Sequence, residues 1–378
     1  PWPQGAPNAG FGPAFPEQTR ADALDSGVTF DVATFAGPLE EPWGIDALPS
    51  GGYLVTEQPG RLRHIAEDGT ISDPIAGVPE VLYQRQGGLL DVTAAPDFAE
   101  SRMVYLTYAK PLGDGMSATA AAKGRLSEDM SELTGVEDIF VQSPGSPNAM
   151  HYGSRIVFDG EGHVFITTGE HFTERERAFA QDLDKTYGKV IRLNADGSVP
   201  SDNPFVGQDG AISSIWSYGH RNVQGAAMEP ATGRLWTIEH GAAGGDELNT
   251  PEAGVNYGWP VVTYGVNYDG SPVGSGEPRA EGMAEPRYYW DPVIAPSDMI
   301  FYEGDMFADW QGDVLIGSLN PGALVRLELD GTTVTGEERF MEGERRIRDV
   351  EIALDGAILV LWDNPRGAVL RLTPGGES

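Results

Sequence analysis

The sequence contains no cysteine, which excludes disulfides, zinc–thiolate sites and cysteine nucleophiles. Basic residues are scarce, because 25 Lys and Arg stand against 57 Asp and Glu and give a net charge of −32. A surface of this charge repels phosphate backbones and anionic lipids. The chain also lacks an apolar run of about 18 residues, the length that a membrane-spanning helix needs. We therefore expect a soluble globular protein with no nucleic-acid partner and no membrane insertion.

Several catalytic motifs are missing as well. The sequence has no G-x-S-x-G, no H-E-x-x-H and no G-x-x-x-x-G-K-[ST], and no G-x-G-x-x-G at a strand-to-helix turn. These absences argue against serine hydrolase, zinc protease, P-loop and nicotinamide chemistry. Without cysteine there is also no C-x-x-C-H motif for covalent haem attachment.

The first residues read P-W-P-Q-G-A-P-N-A-G-F-G-P and carry no initiating Met. We interpret this segment as the start of a mature protein from which an export signal has been removed. The lack of cysteine is compatible with an oxidising compartment. We expect a periplasmic or secreted protein, with an extended N-terminal segment at 1–28 followed by one domain at 29–378.

Six copies of one pattern run along the chain, each a pair of short apolar strands joined by a turn, often ending near Asx-Gly. They lie at 51–65, 103–108, 162–193, 233–238, 312–329 and 356–372. Repeated antiparallel units favour radial closure, which predicts an all-β, six-bladed β-propeller with four-stranded antiparallel blades. A pair of β-sandwiches or a solenoid is the alternative, although no distinct cap sequences support a solenoid. Helical periodicity is strongest at 173–184.

The densest polar region lies at 216–260 and reads W-S-Y-G-H-R-N, then E-H-G-A-A-G-G-D-E-L-N, then G-V-N-Y-G-W-P. Glycines let the backbone approach a ligand or take positive φ. Asp246, Glu247 and nearby carbonyls are the hard oxygen ligands that calcium prefers. Arg221 could stabilise a developing negative charge in a closed cavity, or it could bridge two blades. The acidic residues could equally belong to a solvated loop.

His151 opens the motif H-Y-G-S-R, just before an apolar strand. Histidine is the usual base near neutral pH, but a histidine at a strand start can also be structural. Arg346 and Arg348 belong to the densest cationic cluster, and their alternate spacing places both on one face of a strand. Their guanidinium groups could bind carboxylates bidentately, or they could pair with Glu342 and Glu344.

Together these motifs resemble the soluble PQQ-dependent sugar dehydrogenases, specifically the aldose branch of the glucose/sorbosone dehydrogenase family, over most of the chain. The resemblance implies that His151 is the catalytic base and that Arg221 and Asn222 contact the cofactor quinone. It also implies two calcium sites, one held by two backbone carbonyls beside the cofactor and one structural. The implied PQQ contacts are Gln86, His151, Arg221, Asn222, Arg346 and Arg348, and the implied calcium ligands are Gly241, Ala242, Glu247 and Tyr257.

Three positions depart from the family pattern. Glu170 follows Gly169 where the family has aspartate, and Ala242 stands where it favours proline. Asn320 lies in the region where glucose-type members carry a cofactor-binding lysine. These departures bear on cofactor affinity and substrate range more than on the fold.

The implied activity is oxidation of the anomeric hydroxyl of an aldose sugar to a lactone, with hydride transfer to PQQ. Electrons would pass to a separate acceptor, a quinone or a cytochrome, and the protein would be a monomer or homodimer. Two alternatives remain: a non-catalytic propeller that binds a ligand or partner, and a calcium-dependent lactonase. The combination of His151, Arg221, Asn222, Arg346 and Arg348 favours the dehydrogenase, because binding alone does not require it.

Overall fold

The computed structural model describes residues 1–376, and strands dominate them. In chain order the strands are β1 Asp22–Ala23, β2 Phe30–Leu39, β3 Pro42–Ala47, β4 Tyr53–Glu57, β5 Arg61–Ile65, β6 Leu89–Ala94, β7 Met103–Gly113, β8 Met116–Leu126, β9 Leu133–Val141, β10 Ile156–Phe158, β11 His163–Thr167, β12 Val190–Asn194, β13 Ile215–Ser217, β14 Val223–Met228, β15 Leu235–Glu239, β16 Asp246–Asn249, β17 Tyr288–Trp290, β18 Pro296–Phe301, β19 Val314–Ser318, β20 Ala323–Asp330, β21 Thr333–Phe340, β22 Ile347–Ile352, β23 Ile358–Trp362 and β24 Gly367–Pro374.

These strands form six sheets, and each of the six sequence repeats falls in a different sheet. The sheet orders are β3-β4-β5, β6-β7-β8-β9, β10-β11-β12-β13, β14-β15-β16-β17, β18-β19-β20-β21-β1 and β22-β23-β24-β2. The first strand of each sheet contacts the first strand of the next, from β3 through β6, β10, β14, β18 and β22 back to β3. A closed ring of sheets is a β-propeller, so the predicted six-bladed fold is confirmed.

Two blades depart from four antiparallel strands. The β3-β4-β5 blade has three strands, and its outer position is marked only by an isolated bridge between Ile65 and Ile71. The β18–β21 blade gains β1, which pairs in parallel with β21 through Asp22 and Gly336. The N-terminal segment therefore adds a strand to an outer blade edge, where it covers backbone groups that would otherwise be unpaired.

The ring is closed by the N-terminal strand of the domain. β2 pairs antiparallel with β24, from Phe30 opposite Pro374 to Leu39 opposite Gly367. The last blade thus takes three strands from the C-terminal end of the chain and one from the N-terminal end. This pairing ties both ends of the domain together and leaves the ring without an open edge.

The strands in the middle of the blades are buried, and this explains why they are easy to recognise in the sequence. β4, β15 and β19 are buried at every residue, so each carries consecutive apolar residues and does not alternate strictly between apolar and polar ones. The helices are short: α1 spans Phe98–Ser101, α2 spans Glu174–Arg177, and three 3-10 helices span Pro16–Gln18, Ala178–Gln181 and Ala308–Trp310. In residues 1–376 no helix is long and apolar enough to cross a membrane.

Arg155 divides the central channel into two parts. Its Nη1 donates to Asp91 at 2.9 Å and to Asp349 at 3.2 Å, its Nη2 donates to the Ser297 carbonyl at 3.0 Å, and its guanidinium lies 4.5 Å above the ring of Trp43. One cavity of about 340 Å³ lies where the six innermost strands begin, and another of about 600 Å³ lies where they end. These partners of Arg155 come from four other blades, so its contacts link the inner strands around the ring.

Candidate active site

The cavity at the start of the inner strands contains four of the predicted cofactor residues: Gln86, Asn222, Arg346 and Arg348. The first strand of each blade begins here, so residues far apart in sequence meet around one opening. The complete lining is Glu41, Trp43, Gln58, Arg85, Gln86, Leu90, Tyr152, Asn222, Gln224, His240, Ala295, Leu319, Arg346, Arg348 and Asp363.

His151 lies beside this cavity and is only 5% exposed. Its φ of +46° is unusual for a residue with a side chain, and its backbone N–H donates to Oε1 of Gln86 at 2.8 Å. The ring Nδ1 is hydrogen-bonded to Oε1 of Glu170. Within residues 1–376 the other ring nitrogen, Nε2, has no hydrogen-bond partner, so it is free to accept a proton.

Glu170 is fully buried and fixes the imidazole from behind. Its Oε1 also accepts from the backbone N–H of Phe172 at 2.8 Å, and its Oε2 accepts from the indole Nε1 of Trp259 at 3.1 Å. Burial alone would raise the pKa of this carboxyl, but the neighbouring His151 and Arg221 outweigh it and hold the pKa below its usual value. Glu170 is therefore a carboxylate that accepts the Nδ1 proton of His151.

The surroundings of His151 keep its ring neutral. Burial lowers the pKa of His151 most, and the positive charge of Arg221 lowers it further, while Glu170 acts in the opposite direction. A neutral ring with its proton on Nδ1 presents a lone pair at Nε2. This is the protonation state that a general base needs before the reaction.

Backbone packing holds this arrangement. A Cβ on Gly169 would lie 1.9 Å from the carbonyl oxygen of His151 and 3.0 Å from Oδ1 of Asn222. Asn222 Oδ1 accepts from the N–H of Gly153 at 3.0 Å. Gly169 is thus required for the close approach of two segments, one carrying the histidine and the other the glutamate.

Arg221 lies between the histidine and the glycine-rich loop. Its Nη1 donates to the Gly241 carbonyl at 2.5 Å, and its guanidinium lies 5.2 Å above the ring of Trp259. Its buried Nε has no hydrogen-bond partner among residues 1–376. Glu239 accepts from the backbone N–H of Arg221 at 2.7 Å and does not contact its guanidinium. Within those residues no carboxylate forms a salt bridge with the Arg221 guanidinium.

Arg346 and Arg348 converge on one carboxylate. Both donate to Oδ2 of Asp363, at 2.7 and 3.1 Å, and Arg348 also donates to Oε1 of Gln224 at 2.9 Å. Burial would raise the pKa of Asp363, but the two arginines lower it. The alternative partners Glu342 and Glu344 make no ion pair with these arginines in residues 1–376. Two guanidinium groups per carboxylate leave a positive charge at the cavity.

The glycine-rich loop is organised by Asp246. Its Oδ1 accepts from the N–H of Gly241 at 2.7 Å, and its Oδ2 accepts from the N–H groups of Ile294 and Ala295, each at 2.8 Å. These bonds commit the carboxylate to the backbone and leave the Gly241 and Ala242 carbonyls as the oxygen donors of the loop. One of the two, that of Gly241, is bound by Arg221.

The chain matches known proteins over most of its length. The sequence model of the Glucose / Sorbosone dehydrogenase family matches residues 39–371. Aldose sugar dehydrogenase YliI of Escherichia coli strain K12 is 43% identical over 350 residues, which cover 92% of this chain and 93% of that protein. The chain belongs to the glucose/sorbosone dehydrogenase family.

Solved structures of this family resemble the fold closely. The crystal structure of the soluble aldose sugar dehydrogenase of Escherichia coli in its apo-form has a TM-score of 0.88 and 42% identity, covering 92% of this chain and 100% of that chain. The PQQ-bound aldose sugar dehydrogenase of Streptomyces coelicolor has a TM-score of 0.75 and 28% identity, covering 92% of this chain and 98% of that chain. Membership in this sugar dehydrogenase family makes the chain an oxidoreductase that acts on a small sugar.

A second group of oxygen atoms lies around Glu247, in β16. Asn249 Nδ2 donates to Glu239 at 3.1 Å and to Glu247 at 3.3 Å, while Asn249 Oδ1 is buried without a partner among residues 1–376. Burial, and then the charge of Glu239, raises the pKa of Glu247 well above its usual value. Two carboxylates beside an unpartnered amide oxygen are a donor set that a hard cation would satisfy. Tyr257 stacks on His220, with centroids 5.0 Å apart.

Side chains that could bind a metal ion do not form a cluster in the described residues. In residues 1–376 no group of three or more His, Cys, Asp or Glu side chains is arranged to hold a metal ion. A calcium ion at Gly241 and Ala242 would therefore rest on backbone carbonyls, together with ligands such as the oxygens of a bound cofactor.

The sequence did not reveal four residues on which this family site depends. They are Trp259, which binds Glu170; Phe172, whose ring meets His151 edge-on at 5.3 Å; Tyr268, which approaches Arg221 at 3.4 Å; and Asp363, which pairs the two arginines. Glu170 was visible only as a departure from the family pattern. The available signal was its place three residues after the end of β11 at Thr167.

Proposed function

We propose that this chain oxidises the anomeric hydroxyl of an aldose to a lactone, with PQQ as the hydride acceptor and calcium bound beside it. The supporting observation is His151, whose Nδ1 is held by buried Glu170 and whose Nε2 is free beside an arginine-lined cavity. The PQQ-bound form of a relative with 28% identity over 92% of this chain gives independent support.

The residues present fit PQQ, a planar polyanion. Arg346 and Arg348 share a single carboxylate and can bind further ones bidentately. The buried Nε atoms of Arg221 and Arg348 both lack a partner within residues 1–376, which is unfavourable unless a ligand supplies an acceptor. Gln86 and Asn222 use their side-chain oxygens on backbone N–H groups, so their amide N–H groups remain available for acceptors.

When bound, PQQ would supply a two-electron acceptor for the hydride of the sugar carbon. His151 would take the hydroxyl proton at Nε2, and this transfer promotes departure of the hydride. Glu170 keeps the imidazole in the correct tautomer and stabilises the imidazolium that forms. Arg221, which lacks a salt-bridge partner within residues 1–376, would stabilise the negative charge that develops on the acceptor.

Calcium would be held by the carbonyls of Gly241 and Ala242 next to the cofactor. Arg221 also donates to the first of these carbonyls, whose oxygen has two lone pairs and could accept this bond and coordinate an ion together. Glu247 and the Tyr257 carbonyl would hold a second, structural ion, together with the oxygens that Asn249 and Glu239 bring near Glu247. Each site uses oxygen donors, as calcium requires.

Two departures from the family pattern affect the cofactor pocket locally. Asn320 is exposed, and beside it the carbonyl of Leu319 accepts from Arg346 at 3.1 Å. Arg346 therefore lies beside Asn320, in the region where glucose-type members of the family carry a lysine and this chain does not. Ala242 retains the backbone carbonyl that the ion would need, so the substitution removes loop stiffness and keeps the donor.

The electron acceptor and the cellular place are part of the same proposal. We infer a separate quinone or cytochrome, because the chain has no cysteine to attach a haem. We also infer a periplasmic or secreted location, with which the absence of cysteine is compatible. We propose that the protein acts as a monomer or a homodimer.

Titration of the cofactor-free protein with PQQ tests the proposal. We expect saturable binding in calcium chloride, much weaker binding in EGTA, and reduction of an electron-accepting dye when an aldose such as glucose is added. A protein that binds PQQ but reduces no dye with any aldose would contradict the dehydrogenase function. A protein that binds no PQQ in calcium would contradict the cofactor assignment.

A further inference from the structure

Lys189 is a fully buried lysine that the proposed mechanism does not use. It directly precedes β12, and its Nζ donates to the backbone carbonyls of Phe179 at 3.0 Å, Ala180 at 3.1 Å and Tyr187 at 2.6 Å. Among residues 1–376 it forms no salt bridge, although lysine is almost never fully buried without a charged partner. Its ammonium thus clamps the 3-10 helix Ala178–Gln181, which we call the clamped helix.

The clamped helix holds Trp259 in place. Gln181 Nε2, at the end of this helix, donates to the Trp259 carbonyl at 2.8 Å. The Ala180 carbonyl also accepts from the N–H of Gly219, and the Gly219 carbonyl accepts from the N–H of Trp259, each at 2.9 Å. Both backbone polar groups of Trp259 are therefore fixed, directly or through one residue, by the helix that Lys189 binds.

The backbone of Lys189 holds a different segment, the one that carries Glu170. The N–H of Lys189 donates to Oγ1 of Thr168 at 2.9 Å, and its carbonyl accepts from the N–H of Thr168 at 2.9 Å. The N–H of Gly188 donates to the carbonyl of Gly169 at 3.1 Å. Thr168 and Gly169 directly precede Glu170, so the position of this carboxylate depends on the start of β12.

These two attachments meet at one hydrogen bond, from the indole Nε1 of Trp259 to Oε2 of Glu170 at 3.1 Å. The side chain of Lys189 fixes the donor of this bond, and its backbone fixes the acceptor. The other oxygen of Glu170 binds Nδ1 of His151. A change in the clamp would therefore reach the histidine through the carboxylate, without contact between Lys189 and the cofactor cavity.

The clamp requires the charged form of the lysine. An ammonium has three N–H donors, and the three carbonyls accept all of them, whereas a neutral amine would turn its lone pair toward one carbonyl oxygen. Burial lowers the pKa of Lys189 to about 7, while Asp182 and Asp184 oppose this shift and Lys185 adds to it. The ammonium therefore predominates at pH 6, and the clamp is best tested there.

We propose that Lys189 is a positioning residue for the reaction, which sets the contact between Trp259 and Glu170 and thereby holds the carboxylate that fixes His151. The inference rests on the proposed role of His151 as the base. It adds to that role a charged side chain that touches neither substrate nor cofactor.

Lys189→Met removes the charge and keeps a side chain of similar length. Two of the three carbonyls keep a bond from a backbone N–H, that of Asp182 at 3.0 Å and that of Gly219 at 2.9 Å, so the variant should fold. Gln181→Ala breaks the next link, the bond to the Trp259 carbonyl, and leaves the lysine in place. If Lys189→Met does not fold, Gln181→Ala provides the same measurements.

The indole N–H signals of the cofactor-free protein give a readout that needs no activity. The chain has eight tryptophans, and Trp259→Phe assigns the Trp259 signal by removing it from the ¹H–¹⁵N spectrum. At pH 6, Lys189→Met and Gln181→Ala should each shift this signal more than the other indole signals, because its bond to Glu170 changes. Lys185→Met is the matched control, since Lys185 pairs with a neighbouring exposed aspartate and should leave the signal unchanged.

Steady-state kinetics at pH 6 with glucose, in the protein loaded with PQQ and calcium, separate positioning from general stability. Lys189→Met should lower kcat about fivefold, the effect of losing one hydrogen bond, with little change in KM. In a Trp259→Phe background the same substitution should cause no further loss, because the bond through which it acts is already absent. Lys185→Met should retain both constants.

Two results would overturn the positioning role. One is a Trp259 signal that stays in place in both Lys189→Met and Gln181→Ala. The other is a pair of kcat losses, from Lys189→Met and Trp259→Phe, that multiply in the double variant. If the loaded wild type oxidises no aldose, the proposed function fails instead, and the Trp259 signal still decides whether Lys189 controls the contact with Glu170.

Discussion

The indole Nε1 of Trp259 donates to Oε2 of Glu170 at 3.1 Å, and this bond leaves Oε1 of the same carboxylate for His151. Glu170 is fully buried, so its two oxygens are fixed by these partners and by the N–H of Phe172. The carboxylate thus links His151 to Trp259 and to the backbone of Phe172. Its charge also sets the protonation behaviour of the histidine.

Glu170→Gln should lower turnover about 10- to 100-fold, because the amide no longer stabilises the imidazolium. Burial and Arg221 lower the pKa of His151, and Glu170 opposes them. In the wild type the rate should therefore fall as pH drops through a pKa below 6.5. Removing the opposing carboxylate lowers that pKa further, so the acidic limb of the variant should move to lower pH. Stopped-flow dye reduction across pH 4.5–8 measures both effects.

Glu170→Asp is the matched control for that variant, because it keeps the charge with a shorter reach. It should retain the acidic limb near its wild-type position and lose less turnover than Glu170→Gln. An acidic limb that stays in place in both variants would show that Glu170 does not control the protonation of His151.

Gly169→Ala should disable the site with little effect on folding elsewhere. The added Cβ would lie 1.9 Å from the carbonyl oxygen of His151, so the histidine segment must shift. A displacement near 1 Å can reduce turnover by about 10²-fold. Gly12→Ala, where a Cβ meets no atom within 4 Å, should behave as wild type. Comparable kcat values for wild type and Gly169→Ala would contradict the tight packing.

Arg346→Ala and Arg348→Ala together should weaken PQQ binding by about 2–5 kcal/mol, the effect of removing charged partners from a desolvated ligand. Arg348 should contribute more, because its side chain is 14% exposed and that of Arg346 is 51% exposed. Arg371→Ala is a suitable control, since Arg371 pairs with Asp355 outside the cavity. Fluorescence titration gives each dissociation constant, and equal values for control and double variant would refute the pocket.

The sequence predicted the six-bladed fold because the middle strands are buried on both faces. β4, β15 and β19 carry consecutive apolar residues bounded by turns, and one such run occurs in each blade. The innermost strands gave no such signal, since they face the channel and carry charged residues such as Asp91 and Asp349. The three-stranded blade and the added β1 depend on long-range pairing, which local patterns do not encode.

The sequence predicted only those site residues that belong to local motifs. His151, Arg346 and Arg348 stand in recognisable local contexts, and the resemblance to a family supplied their roles. Trp259 could not be assigned, because its partner Glu170 lies 89 residues away in another blade. Asp363 meets Arg346 and Arg348, which lie 15 to 17 residues away, only through the pairing of β22 with β23. Phe172 and Tyr268 have no motif of their own, so their exposure became visible only in three dimensions.

The acidic side chains at the far end of the channel should make stability depend on pH. Burial, and then the charge of Asp91, raises the pKa of Asp46 to about 7 although the Ala94 N–H opposes the shift. A raised carboxyl pKa stabilises the fold below the unfolded value of 3.8 and loses that contribution as pH rises through about 7. Asp46→Asn should therefore gain roughly 1–3 kcal/mol over wild type at pH 8 and almost nothing at pH 4.

Urea unfolding at the two pH values measures this difference. Asp73→Asn, at an exposed aspartate outside the channel, should change neither value. If Asp46→Asn stabilises the protein equally at pH 4 and pH 8, the effect comes from packing, and protonation of Asp46 does not control stability.

The most direct test of the central claim compares wild type and His151→Ala for PQQ affinity and dye-linked aldose oxidation in calcium. We expect nearly equal PQQ dissociation constants, because the arginine cluster that would bind the carboxylates of PQQ is unchanged in the variant. Turnover should fall by roughly 10²–10⁴-fold, the usual contribution of a positioned base. A His151→Ala protein that oxidises aldoses near the wild-type rate would contradict the mechanism.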